Sequence, residues 1–96
     1  MSNNPISEKD FRQQILDLAE LCGWKCYFTW NSIHSPAGFP DLILVREKII
    51  FAEIKSEKGK LSDAQKEWRD ALENTGGEYY CWKPSDWETM VGILKR

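Results

Sequence analysis

Apolar positions near the start of the chain recur first at helical and then at alternating spacing. Ser7, with a carboxylate three residues later at Asp10, has the pattern of a helix N-cap. The apolar residues that follow form one helical stripe: Phe11, Ile15, Leu18 and Cys22. Gly23 is a natural helix stop. Alternation from Trp24 to Trp30 then predicts a strand.

The middle of the chain predicts a loop and a hairpin. Residues 31–40 hold Asn, Ser, Pro and Gly, which is typical of a loop. Two short apolar runs follow, Leu42–Arg46 and Ile49–Ile54, with the charged pair Glu47-Lys48 between them. This pattern predicts two antiparallel strands joined by a tight turn.

The last third predicts helix, strand and helix. Ser62 and Gln65 form a capping box, and Gly76-Gly77 ends the helix, whose predicted apolar face is Trp68, Ala71 and Leu72. Tyr79–Trp82 reads as a strand. A second box, Ser85-x-x-Glu88, predicts a final helix with the stripe Trp87, Met90, Val91 and Leu94. The order αβββαβα indicates an α/β fold in one domain, residues 1–96, with a mixed four-stranded sheet flanked by helices.

Composition narrows the functional classes. The chain has 96 residues and a net charge of −2, a balance that by itself counts against a nucleic-acid partner. No signal-peptide pattern opens the chain, and no apolar run exceeds four residues, so we expect no membrane association. Three cysteines without a C-x-x-C pair, and one histidine, disfavour disulfides and zinc and favour the cytoplasm.

Charged residues interrupt the predicted hairpin in a pattern that indicates metal chemistry. Asp41 follows Gly38-Phe39-Pro40 at the entrance of one strand, and Glu53 and Lys55 share one face of the next. Two carboxylates at one sheet edge form a hard-oxygen site that suits Mg²⁺. A nearby lysine could orient the attacking water or stabilise charge on a phosphate.

The length of the turn decides whether this site can form. With a strict two-residue Glu47-Lys48 loop, Asp41 would oppose Ile54, and its side chain would lie on the face opposite to Glu53. The site therefore requires a three-residue loop, a bulge or a bend at Asp41, and we predict one of these.

These residues carry a family resemblance. Gly38-x-Pro40-Asp41, Glu53-x-Lys55 and Leu61-Ser62-x-x-Gln65 resemble the PD-(D/E)XK nucleases, and more closely their VRR-NUC (virus-type replication-repair nuclease) family, over nearly the whole chain. The resemblance implies a restriction-endonuclease-like core that uses Mg²⁺ or Mn²⁺ and no organic cofactor.

The resemblance also implies roles for individual residues. Asp41 and Glu53 would bind the metal, with the Ile54 carbonyl as a further ligand, and Lys55 would be the catalytic lysine. Glu8 matches an acidic residue of the first helix, although a first-turn carboxylate is equally explained by the helix dipole. Gln65 matches a glutamine on the second helix, and the capping box is its alternative explanation.

Candidate DNA contacts surround this motif. A cluster of basic residues follows Lys55: Lys58, Lys60, Lys66 and Arg69. His34 and Ser35 lie in the preceding loop. We expect these side chains to contact the phosphate backbone. The basic cluster is also explained as a solvated face, and His34 as an ordinary loop residue.

The resemblance implies a metal-dependent DNA endonuclease that acts as a homodimer on four-way (Holliday) junctions, in a bacterial or phage-infected cell. A less selective flap or duplex nuclease is one alternative. A DNA-binding module with the same fold and little catalysis is the other.

Overall fold

A computed structural model describes residues 6–29 and 36–96. Its helices are α1 (Glu8–Leu21), α2 (Asp63–Asn74) and α3 (Trp87–Lys95), with a 3₁₀ turn at Pro84–Asp86. Its strands are β1 (Lys25–Phe28), β2 (Leu42–Val45), β3 (Ile49–Ile54) and β4 (Glu78–Trp82). The predicted α/β fold and its order of elements are confirmed.

The four strands lie in the order β1-β2-β3-β4. The first three are antiparallel neighbours, and β4 is parallel to β3 because α2 connects them as a crossover. The core lies on the face of the sheet that presents Leu42, Leu44 and Ile50, and α1 and α3 cover this face. The odd-numbered residues of β2 and β3 lie on the opposite face, which α2 covers in part.

Local sequence signals explain the starts of the helices. The Ser7 hydroxyl accepts a hydrogen bond from the Asp10 N–H at 3.1 Å, as an N-cap does. The capping box between Ser62 and Gln65 is present at the start of α2. In α1 the fully buried stripe is Phe11, Ile15, Leu16 and Ala19, while Leu18 and Cys22 are half-buried beside it.

Two details of the C-terminal half were predicted wrongly. No Ser85–Glu88 capping box forms, because the Pro84–Asp86 turn comes first and Asp86 accepts the Lys83 N–H at 2.9 Å. Ser85 N–H instead donates to Glu57 Oε1 at 2.8 Å. Ala71 is exposed, while Trp68 and Leu72 are half-buried, because α2 makes its contacts through Gln65, which bonds to Glu53 of β3, and through Trp68, which packs against Phe39.

The β2–β3 turn has three residues, 46–48. Val45 pairs with Ile49 and Leu42 pairs with Ala52. The same register continued by one residue sets Asp41 opposite Glu53, with both side chains on the α2 face. Of the three predicted alternatives, a longer loop, a bulge or a bend at Asp41, the structure has the three-residue loop.

Within the described ranges, no helix combines the length and the apolar character needed to span a membrane.

Candidate active site

The candidate site lies where β2 begins and β3 ends, beneath the first turn of α2. The Asp41 carboxylate accepts a hydrogen bond from the Ile54 N–H at 2.9 Å, and this bond fixes the carboxylate against the neighbouring strand. Pro40, directly before it, is fully buried, and its carbonyl accepts the Thr29 hydroxyl at 3.1 Å. The entrance of β2 is therefore held from both sides.

Glu53 is the one charged residue in the buried set of the described chain, with 2% of its surface exposed. Its Oε1 accepts a hydrogen bond from Gln65 Nε2 at 2.8 Å and lies 3.9 Å from Lys55 Nζ. Its Oε2 is buried and has no hydrogen-bond partner among the described residues. A buried carboxylate oxygen without a partner is costly, and it indicates a ligand that is not part of the chain.

The surroundings of Glu53 favour its protonated form when no cation is bound. The pKa of Glu53 is raised from an ordinary 4.5 to about 8, and burial is the largest cause. The negative charge of Asp41, and a hydrogen bond that a protonated Glu53 can share with Asp41, contribute to this rise, while Lys55 opposes it. A bound cation would stabilise the ionised forms of these two neighbouring carboxylates.

Gln65 makes a contact that fits each of the two explanations that the sequence left open. Its Oε1 accepts the Ser62 N–H at 2.8 Å and completes the capping box, while its Nε2 donates to Glu53. The amide therefore ties the N-terminus of α2 to the carboxylate.

A close backbone contact brings α2 over the site. Gly38 has a φ of +95°, and a Cβ at this position would lie 2.5 Å from the carbonyl carbon and oxygen of Ala64. Glycine lets the 36–40 loop touch the first turn of α2. The Trp68 indole N–H also donates to the Ala37 carbonyl at 3.2 Å, and Phe39 packs edge-on against Trp68.

Glu8 and the Ile54 carbonyl are the remaining predicted metal ligands. Glu8, half-buried in the first turn of α1, is near enough that its charge also raises the pKa of Glu53. Within residues 6–29 and 36–96, no group of three or more His, Cys, Asp or Glu side chains is arranged to hold a metal ion. Glu8 and the Ile54 carbonyl as ligands therefore stay predictions.

The predicted DNA contacts are spread around the site. Lys58, Lys60 and Lys66 are exposed on the loop after β3 and on α2. Arg69 is instead turned towards its own helix and pairs with Asp70 at 3.0 Å and Glu73 at 4.0 Å. His34 and Ser35 lie outside the described residues.

The sequence pattern did not single out β4 as part of the site. Parallel pairing sets Cys81 in register with Glu53. Asp41, Glu53 and Cys81 therefore lie side by side across three neighbouring strands. The Cys81 thiol has its pKa raised by burial and by the Glu53 charge, and Tyr79 is affected in the same way. Only the crossover through α2 brings these residues to β3, so a linear motif could not have found them.

Comparison with known proteins agrees with this geometry. The VRR-NUC domain family matches residues 6–84. A solved structure described as a VRR_NUC domain protein superposes with a TM-score of 0.76 at 17% identity, over 96% of this chain and 88% of that one, which shows a shared fold. The comparison with curated proteins gives no match. The residues matched span most of the chain, and the chain therefore belongs to the VRR-NUC family of nucleases.

Proposed function

We propose that this protein is a divalent-metal-dependent endonuclease that hydrolyses phosphodiester bonds in DNA. The observation that carries the proposal is the unpartnered, buried Oε2 of Glu53 beside the Asp41 carboxylate, with the Lys55 ammonium nearby. Burying two acids beside a lysine destabilises a protein when the residues have only a structural role. In phosphoryl transfer the same charges can stabilise the transition state.

The donor set fits Mg²⁺ or Mn²⁺. Asp41 and Glu53 supply hard carboxylate oxygens, and the repulsion between them is relieved by a cation. When bound, the cation would supply Lewis acidity that offsets charge on the phosphate and activates water. We assign its side-chain ligands to Asp41 and Glu53, with Glu8 and the Ile54 carbonyl as further candidates.

The protein's own residues would perform the positioning. Gln65 holds Glu53 Oε1 and leaves Oε2 free. The Ile54 N–H holds Asp41 Oδ2. Lys55, with 16% of its side chain exposed, can reach solvent and place its ammonium against a phosphate oxygen or the attacking water.

We further propose that two copies act together on four-way junctions. A two-fold pair of sites suits a substrate whose symmetric strands are cut. Exposed apolar side chains support a contact between copies: Tyr27, Val45 and Ile49 are 64%, 39% and 50% exposed, and all three lie on the α2 face of the sheet. Ile49→Lys should then lower the mass measured by light scattering from that of a dimer to that of a monomer.

We also assign this activity to the cytoplasm of a bacterial or phage-infected cell. All three cysteines are free, as is usual in a reducing compartment.

The deciding experiment compares labelled four-way junction, flap and linear duplex with Mg²⁺, Mn²⁺ or EDTA. We expect cleavage that requires the cation and is fastest on the junction. Asp41→Asn and Lys55→Met should abolish cleavage while far-UV circular dichroism stays unchanged. Equal rates on all three substrates would favour the flap or duplex nuclease. Binding without cleavage under every metal condition would favour the DNA-binding module and overturn the enzyme.

A further inference from the structure

Two lysines stand side by side at the ends of the parallel strands β3 and β4. Glu53 is in register with Cys81, and Ile54 with Trp82. The Lys55 N–H continues the ladder by donating to the Trp82 carbonyl at 3.0 Å, so the next residues along are Lys55 and Lys83. Lys83 keeps an extended backbone, with φ −120° and ψ 163°. Its side chain therefore shares the face of Cys81 and Glu53.

The main chain around Lys83 is firmly held. Its N–H donates to the Asp86 carboxylate at 2.9 Å, and the Asp86 N–H donates back to the Lys83 carbonyl at 2.8 Å. Ser85 is tied to the loop after β3 through Glu57. The position from which the lysine stem departs is thus fixed by bonds on both sides.

The charged groups near the Lys83 ammonium interact with it only weakly. Its charge partly offsets the burial that raises the pKa of Cys81, and it adds to the Ser85 hydrogen bonds that lower the pKa of Glu57 on the adjoining loop. Among residues 6–29 and 36–96, Lys83 forms no ion pair. Lys55, in contrast, lies 3.9 Å from Glu53 and is mostly buried. The second lysine is therefore free to meet an outside anion.

We propose that Lys83 binds a DNA backbone phosphate adjacent to the phosphate that is cleaved. This inference rests on the proposed nuclease function. Adjacent strands lie about 4.8 Å apart, so a duplex placed over Lys55 passes within reach of the flexible Lys83 stem. Such a contact would fix the register of the DNA over the carboxylates and would contribute affinity rather than chemistry.

Glu57 provides an independent check on this assignment. Its carboxylate is exposed and lies near Lys83, so it competes with a phosphate for the same charge. Glu57→Gln keeps an oxygen that can accept the Ser85 N–H and removes the competing charge. We expect this variant to bind DNA more tightly, and to gain less in a Lys83→Gln background.

The test measures binding of a fluorescein-labelled four-way junction by anisotropy in EDTA, across a series of salt concentrations. Lys83→Gln should weaken binding about threefold to tenfold for each bound copy and lower the slope of log K against log salt by about 0.9 per copy, or about 1.8 for the proposed pair of copies on one junction, as for the loss of one phosphate contact in each. Lys83→Arg should restore most of both. In cleavage assays Lys83→Gln should raise KM and leave kcat within about twofold.

Lys95→Gln is the matched control. Lys95 is exposed in the last turn of α3, which covers the core face of the sheet, whereas Lys55 and Lys83 lie on the opposite face. It loses the same charge far from the proposed contact, so it should leave the salt slope unchanged.

The outcomes separate this inference from the proposed function. A wild-type protein that neither binds nor cleaves DNA would overturn the nuclease itself. Wild-type binding with equal affinity and salt slope in Lys83→Gln would overturn the role of Lys83 alone. If Lys83→Gln fails to fold, the Glu57→Gln variant decides, because unchanged binding there also contradicts the inference.

Discussion

Gln65 Nε2 donates to Glu53 Oε1 at 2.8 Å, while the other end of the same amide caps α2. A single side chain thus couples the start of a helix to the orientation of a buried carboxylate. Because Gln65 holds Oε1 of Glu53, Oε2 is left available for a ligand. The orientation of Glu53 therefore depends on the start of α2 being folded.

Replacing Gln65 should separate these two roles. Gln65→Ala removes both bonds and should lower the free energy of unfolding by on the order of 2 kcal/mol, together with the cleavage rate. Gln65→Glu can still accept the Ser62 N–H but puts a like charge beside Glu53. We expect Gln65→Glu to keep the cap of α2 but to lower the free energy of unfolding, because a repulsion replaces the bond to buried Glu53, and to lose most of the cleavage activity. Equal activity of Gln65→Glu and wild type would show that Gln65 is only a cap.

The metal-free protein should lose stability as the pH rises from about 4.5 to about 8. The folded protein holds a proton on Glu53 through this range, because its pKa is raised to about 8, while the unfolded chain releases it near 4.5. Since the folded state binds more protons, the free energy of unfolding falls with pH by up to about 1.4 kcal/mol per unit.

Urea denaturation in EDTA at several pH values measures this slope. Glu53→Gln should flatten it, and Mg²⁺ should recover stability at pH 8 because a cation replaces the proton. A wild-type slope that matches that of Glu53→Gln would contradict the prediction.

Gly38→Ala should destabilise the protein and disturb the site together. The new methyl would lie 2.5 Å from the Ala64 backbone at a φ of +95°, so the 36–40 loop or α2 must move. We expect a loss of about 1–3 kcal/mol in thermal or urea unfolding, with reduced cleavage.

Gly92→Ala offers a contrasting substitution. Gly92 lies within α3 with no atom within 4 Å of an added Cβ, so the change should stabilise the helix by up to about 1 kcal/mol. It should leave cleavage unaltered. Similar effects of the two substitutions would mean that the contact between Gly38 and Ala64 is unimportant.

The sequence by itself determined the elements and the acidic motif. Helix caps at Ser7 and Ser62, and the alternation around Cys26, are local signals that act within a few residues along the chain. A glutamate in a strand as apolar as Ile49–Ile54 is costly without a partner, so Glu53 could be recognised as functional before its surroundings were known. The net charge of −2 counts against a DNA partner, although part of it comes from the acids that we propose as metal ligands.

The tertiary structure decided which distant residues meet. The contact of Gly38 with Ala64, the bond from Gln65 to Glu53 and the arrival of Cys81 and Lys83 beside the site all depend on how α2 crosses the sheet. The predicted capping box between Ser85 and Glu88 was wrong for the same reason. The Ser85 N–H bonds to the distant Glu57, and Asp86 accepts the Lys83 N–H instead. Such contacts join residues that are far apart in sequence, and their free energy appears only when the chain is packed, so no local pattern encodes them.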